Sequence, residues 1–286
     1  MPDLSRHRST SASSTLTERA MNRLKLRLEH VRRRRVIDED LYRGRCCEEL
    51  DVIQRLSDAH DLLEISNVVD AARSHGIRVG PGRGATPCLL VNWALGISDI
   101  DPIRFKLPFE RFLNPARAST WIASIDVCAR RHAELVDQIA PRLRENFEVH
   151  PLPAISLLQD VVEHVKARHA NFDLDDIADD DGVVFAMISN GDTAGVFWFD
   201  DHAAFTALAQ RLAPTCFDDL MLIFTVLRPG PTERGVVEAI VDRKHRWTSH
   251  EAIHPALGAI LADTYGVLVY QEQVIRIAHD IAGFSY

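Results

Sequence analysis

Apolar residues recur every three or four positions over much of the chain, a spacing that predicts amphipathic helices. The spacing is clearest in the first third and at the C-terminal end, where one face carries Val274, Ile277, Ala278 and Ile281. The other predicted helices cover residues 17–35, 41–60, 62–75, 129–146, 155–168 and 183–188. Residues 1–16 are polar and rich in Ser and Thr, so we expect a disordered tail there.

Shorter runs with strand-like composition separate these helices. They lie at residues 77–79, 119–127, 193–199, 237–241 and 267–270. We expect 77–79, 119–127 and 237–241 to pair in one small sheet, with Asp126 and Asp242 close together on it. A small sheet among many helices predicts an α/β (α+β) fold.

A glycine-rich loop, Gly80-Pro81-Gly82-Arg83-Gly84, joins the first predicted strand to a helix that begins near Thr86. Thr86 is a candidate N-cap, Pro87 suits the first helical position, and Gly96 is expected to end the helix. Such a junction offers backbone N–H groups and the positive end of a helix dipole to a phosphate. Many junctions of this kind bind nothing, so both interpretations stand.

The net charge of −8 hides an uneven distribution. The first 36 residues carry ten Lys and Arg against three acidic residues, and the rest of the chain is acidic. A basic arm on an acidic body is typical of a nucleic-acid contact, and its densest part is Arg32, Arg33, Arg34 and Arg35. The alternative is a solvated helix whose last arginines complement the helix dipole.

The composition, 46% hydrophobic and 26% charged, is that of a folded protein. The sequence lacks a run of about 18 apolar residues, so we expect no membrane helix and no membrane partner. The N-terminus also lacks the apolar core of a secretory signal. The five cysteines show no metal-ligand spacing, which favours reduced thiols in a cytoplasmic protein.

Seven short segments occur in the order of one known family. They are VGPGRG at 79–84, LGISDIDP at 95–102, FERFLNP at 109–115, GDTAGVF at 191–197, RPGP at 228–231, DRKH at 242–245, and DTYGV with YQEQ within 263–273. Over residues 42–286 the chain therefore resembles the catalytic α subunit of bacterial DNA polymerase III, a C-family replicative polymerase. The resemblance implies a nucleotidyltransferase-like polymerase palm surrounded by many helices.

In that family three palm carboxylates bind two Mg²⁺ ions that act in template-directed DNA synthesis. Clustered carboxylates are needed because two divalent cations a few ångströms apart repel each other unless several anionic oxygens surround them. The resemblance thus implies Mg²⁺ as cofactor and DNA and deoxynucleoside triphosphate (dNTP) as partners. Other replisome subunits are further candidate partners.

The match breaks at the metal-binding residues. After the FERFLNP segment the family carries Pro-Asp-x-Asp-x-Asp, and counting without a gap from Pro115 puts its two metal-binding aspartates at Ile122 and Ser124. Asp126 survives from this motif, and the resemblance assigns the third catalytic aspartate to Asp242. Asp126 and Asp242 are therefore the candidate catalytic and metal-binding residues. Because Ile122 supplies no oxygen, we expect Mg²⁺ binding to be weak or lost.

Gly82, Arg83 and Gly84 retain the phosphate-binding sequence of the family. The residues that follow differ, since Ala85 lacks a hydroxyl and Pro87 lacks an N–H where the triphosphate would lie. Candidate nucleic-acid contacts are Arg228, Arg243 and Lys244, together with the arginines at 32–35. The alternative for these charges is ordinary solvation.

The resemblance also divides the chain into domains. Residues 1–16 form the tail, 17–40 a basic helix, 41–147 the first part of the palm, and 148–286 the remaining palm with the start of the fingers. The thumb, expected between about 136 and 155, and the PHP domain are absent.

Three functions follow from these observations. The first, which we adopt, is a catalytically inactive palm that still binds DNA, nucleotide or a polymerase-directed inhibitor. The second is a decayed gene fragment without function. The third is a weakly active DNA polymerase that uses Asp126 and Asp242.

Overall fold

In the computed structural model, residues 4–116, 121–139, 146–228, 235–246 and 254–285 are described, and the helices there follow the apolar periodicity. The chain divides into two units, Met1–Leu174 and Asp175–Tyr286. Each unit buries its own cluster of hydrophobic side chains. Within the described ranges, no helix is long and apolar enough to cross a membrane.

Four helices precede the first strand in the first unit. They are α1 (Leu4–Arg32), α2 (Glu39–Leu56), α3 (Ala59–Ser74) and α4 (Leu90–Leu95). Asp38 caps α2, because its side chain accepts hydrogen bonds from the backbone N–H groups of Asp40 and Leu41. Gly96 ends α4 in the left-handed conformation (φ +81°), as the sequence predicts.

The first helix corrects the predicted disordered tail over residues 4–16, because α1 begins at Leu4, whereas residues 1–3 lie outside the described residues. Its buried stripe is Leu16, Ala20, Leu24 and Leu28, and it packs against α3 and α4. Tertiary burial of this stripe outweighs the polar composition that predicts a tail.

A two-stranded parallel sheet lies beside these helices. Strand β1 (Ala123–Cys128) pairs with β2 (Phe147–Leu152), and Ser124 is in register with Glu148. The predicted strand at 77–79 is reduced to one antiparallel bridge, between Val79 and Val127. Residues 119–120, the start of the predicted second strand, lie outside the described residues.

The connection from β1 to β2 was predicted as one helix over residues 129–146. Its described part contains a 3₁₀ turn (Ala129–Arg131), the short α5 (His132–Glu134) and a π-helical stretch (Leu135–Ile139). Residues 140–145 lie outside the described residues. After β2 the chain enters α6 (Pro153–Arg168), which packs against β1.

The second unit is helical in its described parts. Its helices are α7 (Gly182–Asn190), α8 (Ala203–Leu212), α9 (Phe217–Val226), α10 (Val236–Arg246), α11 (Pro255–Leu261) and α12 (Gln271–Asp280). Residues 193–199 form turns and 267–270 form no strand, so both strand predictions are wrong. Gly195 and Trp198 hold positive φ angles, which interrupt extended structure in the first of these segments.

The strand prediction at 237–241 is also wrong, because this segment lies within α10. Val237 and Ile240 are buried three positions apart, which is helical spacing, and they join the core of the second unit. The predicted sheet of 77–79, 119–127 and 237–241 therefore does not form. The small parallel sheet among many helices is still compatible with an α/β class.

Candidate functional site

One face of the sheet collects polar side chains from both strands. Alternate residues of a strand point to the same face, so Ser124 and Asp126 of β1 share it with their register partners Glu148 and His150 of β2. Arg83, from the glycine-rich loop, joins them through an ion pair with Asp126. We call these five residues the polar face.

The β2 half of the polar face is centred on Glu148. Its Oε2 accepts a hydrogen bond from the Ser124 hydroxyl at 3.1 Å, and His150 Nε2 lies 3.1 Å from the same oxygen. The hydrogen bonds from His150 and then from Ser124 hold the pKa of Glu148 below its usual range, and the charge of Arg83 lowers it further. Glu148 is therefore an exposed, charged acceptor beside the position of Ser124.

Asp126, unlike the exposed Glu148, is buried, with 6% of its surface exposed. Its Oδ1 lies 3.1 Å from Arg83 Nη1, and its backbone carbonyl accepts a hydrogen bond from the Gly80 N–H at 2.7 Å. A Cβ at Gly80 would lie 2.7 Å from Ile155 Cδ1 and 3.1 Å from Asp126 Cβ. The loop thus reaches Asp126 only because residue 80 is glycine.

The rest of the glycine-rich loop is held by the protein itself. A Cβ at Gly82 would lie 2.6 Å from Pro87 Cγ and 2.9 Å from Ser98 Oγ, whereas Gly84 faces open space. The Pro81 carbonyl accepts hydrogen bonds from the Ser98 hydroxyl and the Asp99 N–H. These contacts fix the loop so that Arg83 is placed over β1.

The helix N-terminus behind this loop differs from the prediction. Thr86 does not cap the helix, because its Oγ1 accepts a hydrogen bond from the Ser124 N–H at 2.9 Å. A 3₁₀ turn (Thr86–Cys88) comes first, and α4 begins at Leu90. Glu49 accepts hydrogen bonds from the N–H groups of Leu90 and Val91 at 3.0 and 2.9 Å. The positive end of α4 thus faces a carboxylate of the protein itself.

The oxygen donors of the polar face do not fit a pair of Mg²⁺ ions. Asp126 is paired with Arg83, and the Glu148 oxygen accepts from two neighbours. Ile122, which is 47% exposed, presents an alkyl group just before β1. Each Mg²⁺ demands octahedral oxygen coordination, and two of them need several carboxylates that are not already neutralised.

Asp242, the other predicted catalytic residue, lies on α10 in the second unit. Its side chain is 59% exposed, and its Oδ1 lies 3.2 Å from Arg246 Nε one helical turn away. Asp126 lies on a strand of the first unit. The two aspartates therefore belong to different units, and a site that they share stays a prediction.

Glu148 is the carboxylate that the sequence analysis missed. Residues 147–150 alternate apolar and polar side chains, which is the strand signal that could have identified β2. Pro151 and Pro153 follow directly, and prolines disfavour a continued strand, which obscures this signal. Only the parallel pairing of β1 with β2 brings Glu148 beside Ser124.

Two of the residues predicted to contact nucleic acid, both in the second unit, donate hydrogen bonds to other groups of the protein. The Lys244 side chain is 9% exposed, and its Nζ donates hydrogen bonds to Asp219 Oδ2 and to the Ala213 carbonyl. Arg243 donates to the Gly266 carbonyl at 2.8 Å. Arg228 is exposed, and the rest of its predicted turn, 229–231, lies outside the described residues.

The basic arm is likewise engaged with the first unit. Arg32 pairs with Glu39 at 2.8 Å, and Arg35 donates hydrogen bonds to Asp101 and Tyr42. Earlier in α1, three more arginines contact acidic or amide side chains: Arg19 with Asn67, Arg23 with Asp70, and Arg27 with Asp99. Arg33 and Arg34 are exposed. Much of the charge asymmetry is therefore matched inside the protein.

Two family models match the chain in succession. Residues 14–149 match the bacterial DNA polymerase III alpha NTPase domain, and residues 154–286 match the finger domain of the same subunit. The first match contains the whole polar face except His150. Both family models describe the same subunit, and together they extend over most of the chain.

Three similar proteins are named DNA polymerase III subunit alpha. The one from Mycobacterium tuberculosis (strain CDC 1551 / Oshkosh) is 27% identical over 86% of this chain and 33% of its own length. Those from Campylobacter jejuni and Caulobacter vibrioides are each 24% identical, over 88% and 94% of this chain and 32% and 35% of their own lengths. This chain is therefore a relative of the bacterial DNA polymerase III α subunit, and it spans about a third of the length of these curated relatives.

Proposed function

We propose that this protein is a non-catalytic relative of the polymerase subunit that binds dNTP or DNA at the polar face. The observation that carries the proposal is the Arg83–Asp126 ion pair beside Ile122 and Ser124. A guanidinium stands against the one carboxylate that survives in the aspartate motif. The palm assignment, the loss of activity and the choice of ligand are all parts of this proposal.

The charges of the polar face argue against a pair of bound metal ions. Two Mg²⁺ ions bring four positive charges, whereas Asp126 is already balanced by Arg83. Glu148 is the remaining carboxylate of the polar face. Phosphoryl transfer depends mostly on positioning and on neutralising charge at the phosphates, so weak metal binding removes most of the rate enhancement.

Arg83 is the residue that would meet a phosphate. Its side chain is 47% exposed, and one of its guanidinium nitrogens is used in the ion pair with Asp126. The planar guanidinium carries five N–H donors, so it can pair with Asp126 and with a phosphate oxygen at once. His150, also on the polar face, adds a second ring nitrogen donor when protonated.

The comparisons support the loss of a segment inside the chain. The match to the Mycobacterium tuberculosis protein extends over 391 positions, more than the 286 residues of this chain. The relative therefore contains internal residues that have no counterpart here. This agrees with a palm that lacks its thumb. Because the thumb is missing in this proposal, we expect that restored metal ligands alone do not restore synthesis.

The test is extension of a primed DNA template by the purified chain with Mg²⁺ and dNTPs. We expect no incorporation, and we expect the double variant Ile122→Asp, Ser124→Asp to bind Mg²⁺ more tightly in calorimetry without processive synthesis. Template-dependent extension by the unchanged protein that disappears in Asp126→Ala or Asp242→Ala would overturn the proposal. Asp192→Ala, at an exposed position in the second unit, is the matched control.

Binding is tested separately with a fluorescent dNTP in the absence of metal. We expect Arg83→Ala to weaken binding about tenfold or more, since a charged hydrogen bond to phosphate contributes about 1.5–3 kcal/mol. Arg83→Lys keeps a positive charge opposite Asp126 and so preserves the ion pair that could stabilise the fold. Comparing it with Arg83→Ala separates a loss of dNTP binding from a loss of stability. Equal affinities for the unchanged protein and both variants would remove the polar face from the proposal.

A weakly active polymerase is the second candidate, and one observation favours it. Glu148 puts a second carboxylate on the sheet, directly beside Ser124. Extension that disappears in Glu148→Gln as well as in Asp126→Ala would support this candidate. Glu148 would then take the place of Asp242 as the second catalytic carboxylate beside Asp126.

A further inference from the structure

A second polar cluster lies at the start of α3, away from the polar face. His60 Nδ1 is 3.8 Å from Asp61 Oδ1 and 3.6 Å from Glu64 Oε1. The ligand atoms of these three side chains all lie within 4.8 Å of one another. Among the described residues, this is the one group of three His, Cys, Asp or Glu side chains with that spacing.

The distances match those between ligands that share one metal ion. Zinc binds imidazole nitrogen and carboxylate oxygen at about 2.0–2.2 Å, so two ligands in a tetrahedral site lie about 3.4 Å apart. The two measured separations exceed that value by a few tenths of an ångström. Small rotations of exposed side chains are enough to close the difference, because His60 is 53% and Glu64 43% exposed.

A neighbouring amide orients Asp61, the least exposed side chain of the cluster. The Asn146 side chain donates a hydrogen bond to Asp61 Oδ2 at 3.1 Å. The other oxygen of Asp61, Oδ1, is the one directed toward His60. A hydrogen bond that fixes one carboxylate oxygen while the other faces the ion is the usual arrangement around protein metal ligands.

A buried carboxyl group lies close in sequence to the cluster. Asp58, one residue before α3, is buried, and its Oδ2 has no hydrogen-bond partner within the described structure.

We propose that His60, Asp61 and Glu64 form a binding site for a zinc(II) ion, with water completing the coordination. One imidazole and two carboxylates are ligands that zinc accepts, whereas Mg²⁺ and Ca²⁺ prefer oxygen alone. Spacing by one helical turn places His60 and Glu64 on the same side of α3. The site is independent of the proposed function, since it shares no residue with the polar face.

The experiment uses the full chain, stripped of metal with a chelator and titrated with Zn²⁺ against a chromophoric competitor. We expect one tight site per chain, and at least a tenfold loss of affinity in His60→Ala and in Glu64→Gln. Tetrahedral Co²⁺ in the same site should give intense visible absorption that both variants lose. The matched controls are His164→Ala and Glu163→Gln, which change an exposed His and Glu on α6.

Two results would overturn the proposal. One is the absence of any tight zinc site in the unchanged chain. The other is zinc affinity that the His60 and Glu64 variants leave unchanged, or that the α6 controls reduce equally. If His60→Ala does not fold, Glu64→Gln and Asp61→Asn carry the test, because both keep the size of the side chain.

Discussion

Glu49 is a buried carboxylate that joins α2 to the start of α4. It is fully buried, accepts a hydrogen bond from Arg45 Nε at 2.6 Å, and accepts two more from the backbone of α4. Burial raises its pKa to about 7, although the charge of Arg45 and the N–H groups of Leu90 and Val91 act in the opposite direction. One carboxylate therefore satisfies the helix end for which phosphate binding was one of two open interpretations.

We expect Glu49→Gln to lower the free energy of unfolding by about 1–3 kcal/mol, because both carboxyl oxygens accept hydrogen bonds and the amide NH2 that replaces one of them cannot, which leaves one donor unsatisfied in the interior. The raised pKa sets the pH dependence. The folded protein keeps a proton on Glu49 that the unfolded chain releases, so the contribution of this proton is full below about pH 4.5 and is lost as the pH rises through 7.

Urea unfolding at several pH values checks both statements. The stability advantage of the unchanged protein over Glu49→Gln should shrink from pH 5 to pH 8. An advantage that grows over this range would contradict the raised pKa. Glu18→Gln, at an exposed position on α1, should match the unchanged protein throughout.

At the scale of elements, α1 is a core helix that also carries the basic charge of the chain. One side packs Leu24 and its neighbours against α3 and α4, and the flanking arginines pair with acidic residues of the same unit. Arg23 shows the pattern, since it contacts both Asp70 oxygens and the Leu95 carbonyl. The helix is thus held by burial on one side and by ion pairs along its edge.

Two leucines on α1 test this arrangement. Leu24 is 1% exposed and Leu26 is 64% exposed, although they are two residues apart. We expect Leu24→Ala to cost about 2–5 kcal/mol of unfolding free energy through the lost contacts and the cavity. Leu26→Ala should cost less than about 0.5 kcal/mol. Chemical denaturation of the two variants measures this, and similar losses would mean that α1 is not docked as described.

At the scale of the whole molecule, the net charge of −8 opposes binding to DNA, so a contact depends on a local cluster of cations. Arg33 and Arg34 are the exposed pair at the end of α1. We expect duplex affinity to fall with added salt and the Arg33→Ala, Arg34→Ala variant to reduce the salt slope by about 2. Fluorescence anisotropy at several salt concentrations measures the slope.

The matched control for the DNA measurement is Arg55→Ala with Arg168→Ala, which removes two exposed arginines from other helices. It should leave the slope closer to that of the unchanged protein. Equal slopes in all three proteins, or no binding at low salt, would mean that the charges of α1 serve the fold alone.

Local patterns in the sequence predict most of the helices of the first unit and the resemblance to the polymerase subunit. Apolar spacing identified α2, α3, α6, α7 and α12 to within a few residues, and Gly96 ended α4 as expected. These features are local, because helical spacing and a left-handed glycine depend on residues within a few positions of one another. The ordered motifs identified the family for the same reason, since each motif is short and continuous.

The polar face and the capping of α4 depend instead on contacts between distant parts of the chain. Glu148 and Ser124 meet because β1 pairs with β2, and Glu49 reaches the start of α4 from 41 positions away in the sequence. The segment 237–241 has strand-like composition, yet Val237 and Ile240 are buried on one side of α10. Side chains that are distant in the sequence become neighbours through packing, and packing energy can outweigh local propensity, so neither strand pairing nor charge pairing follows from residue types alone.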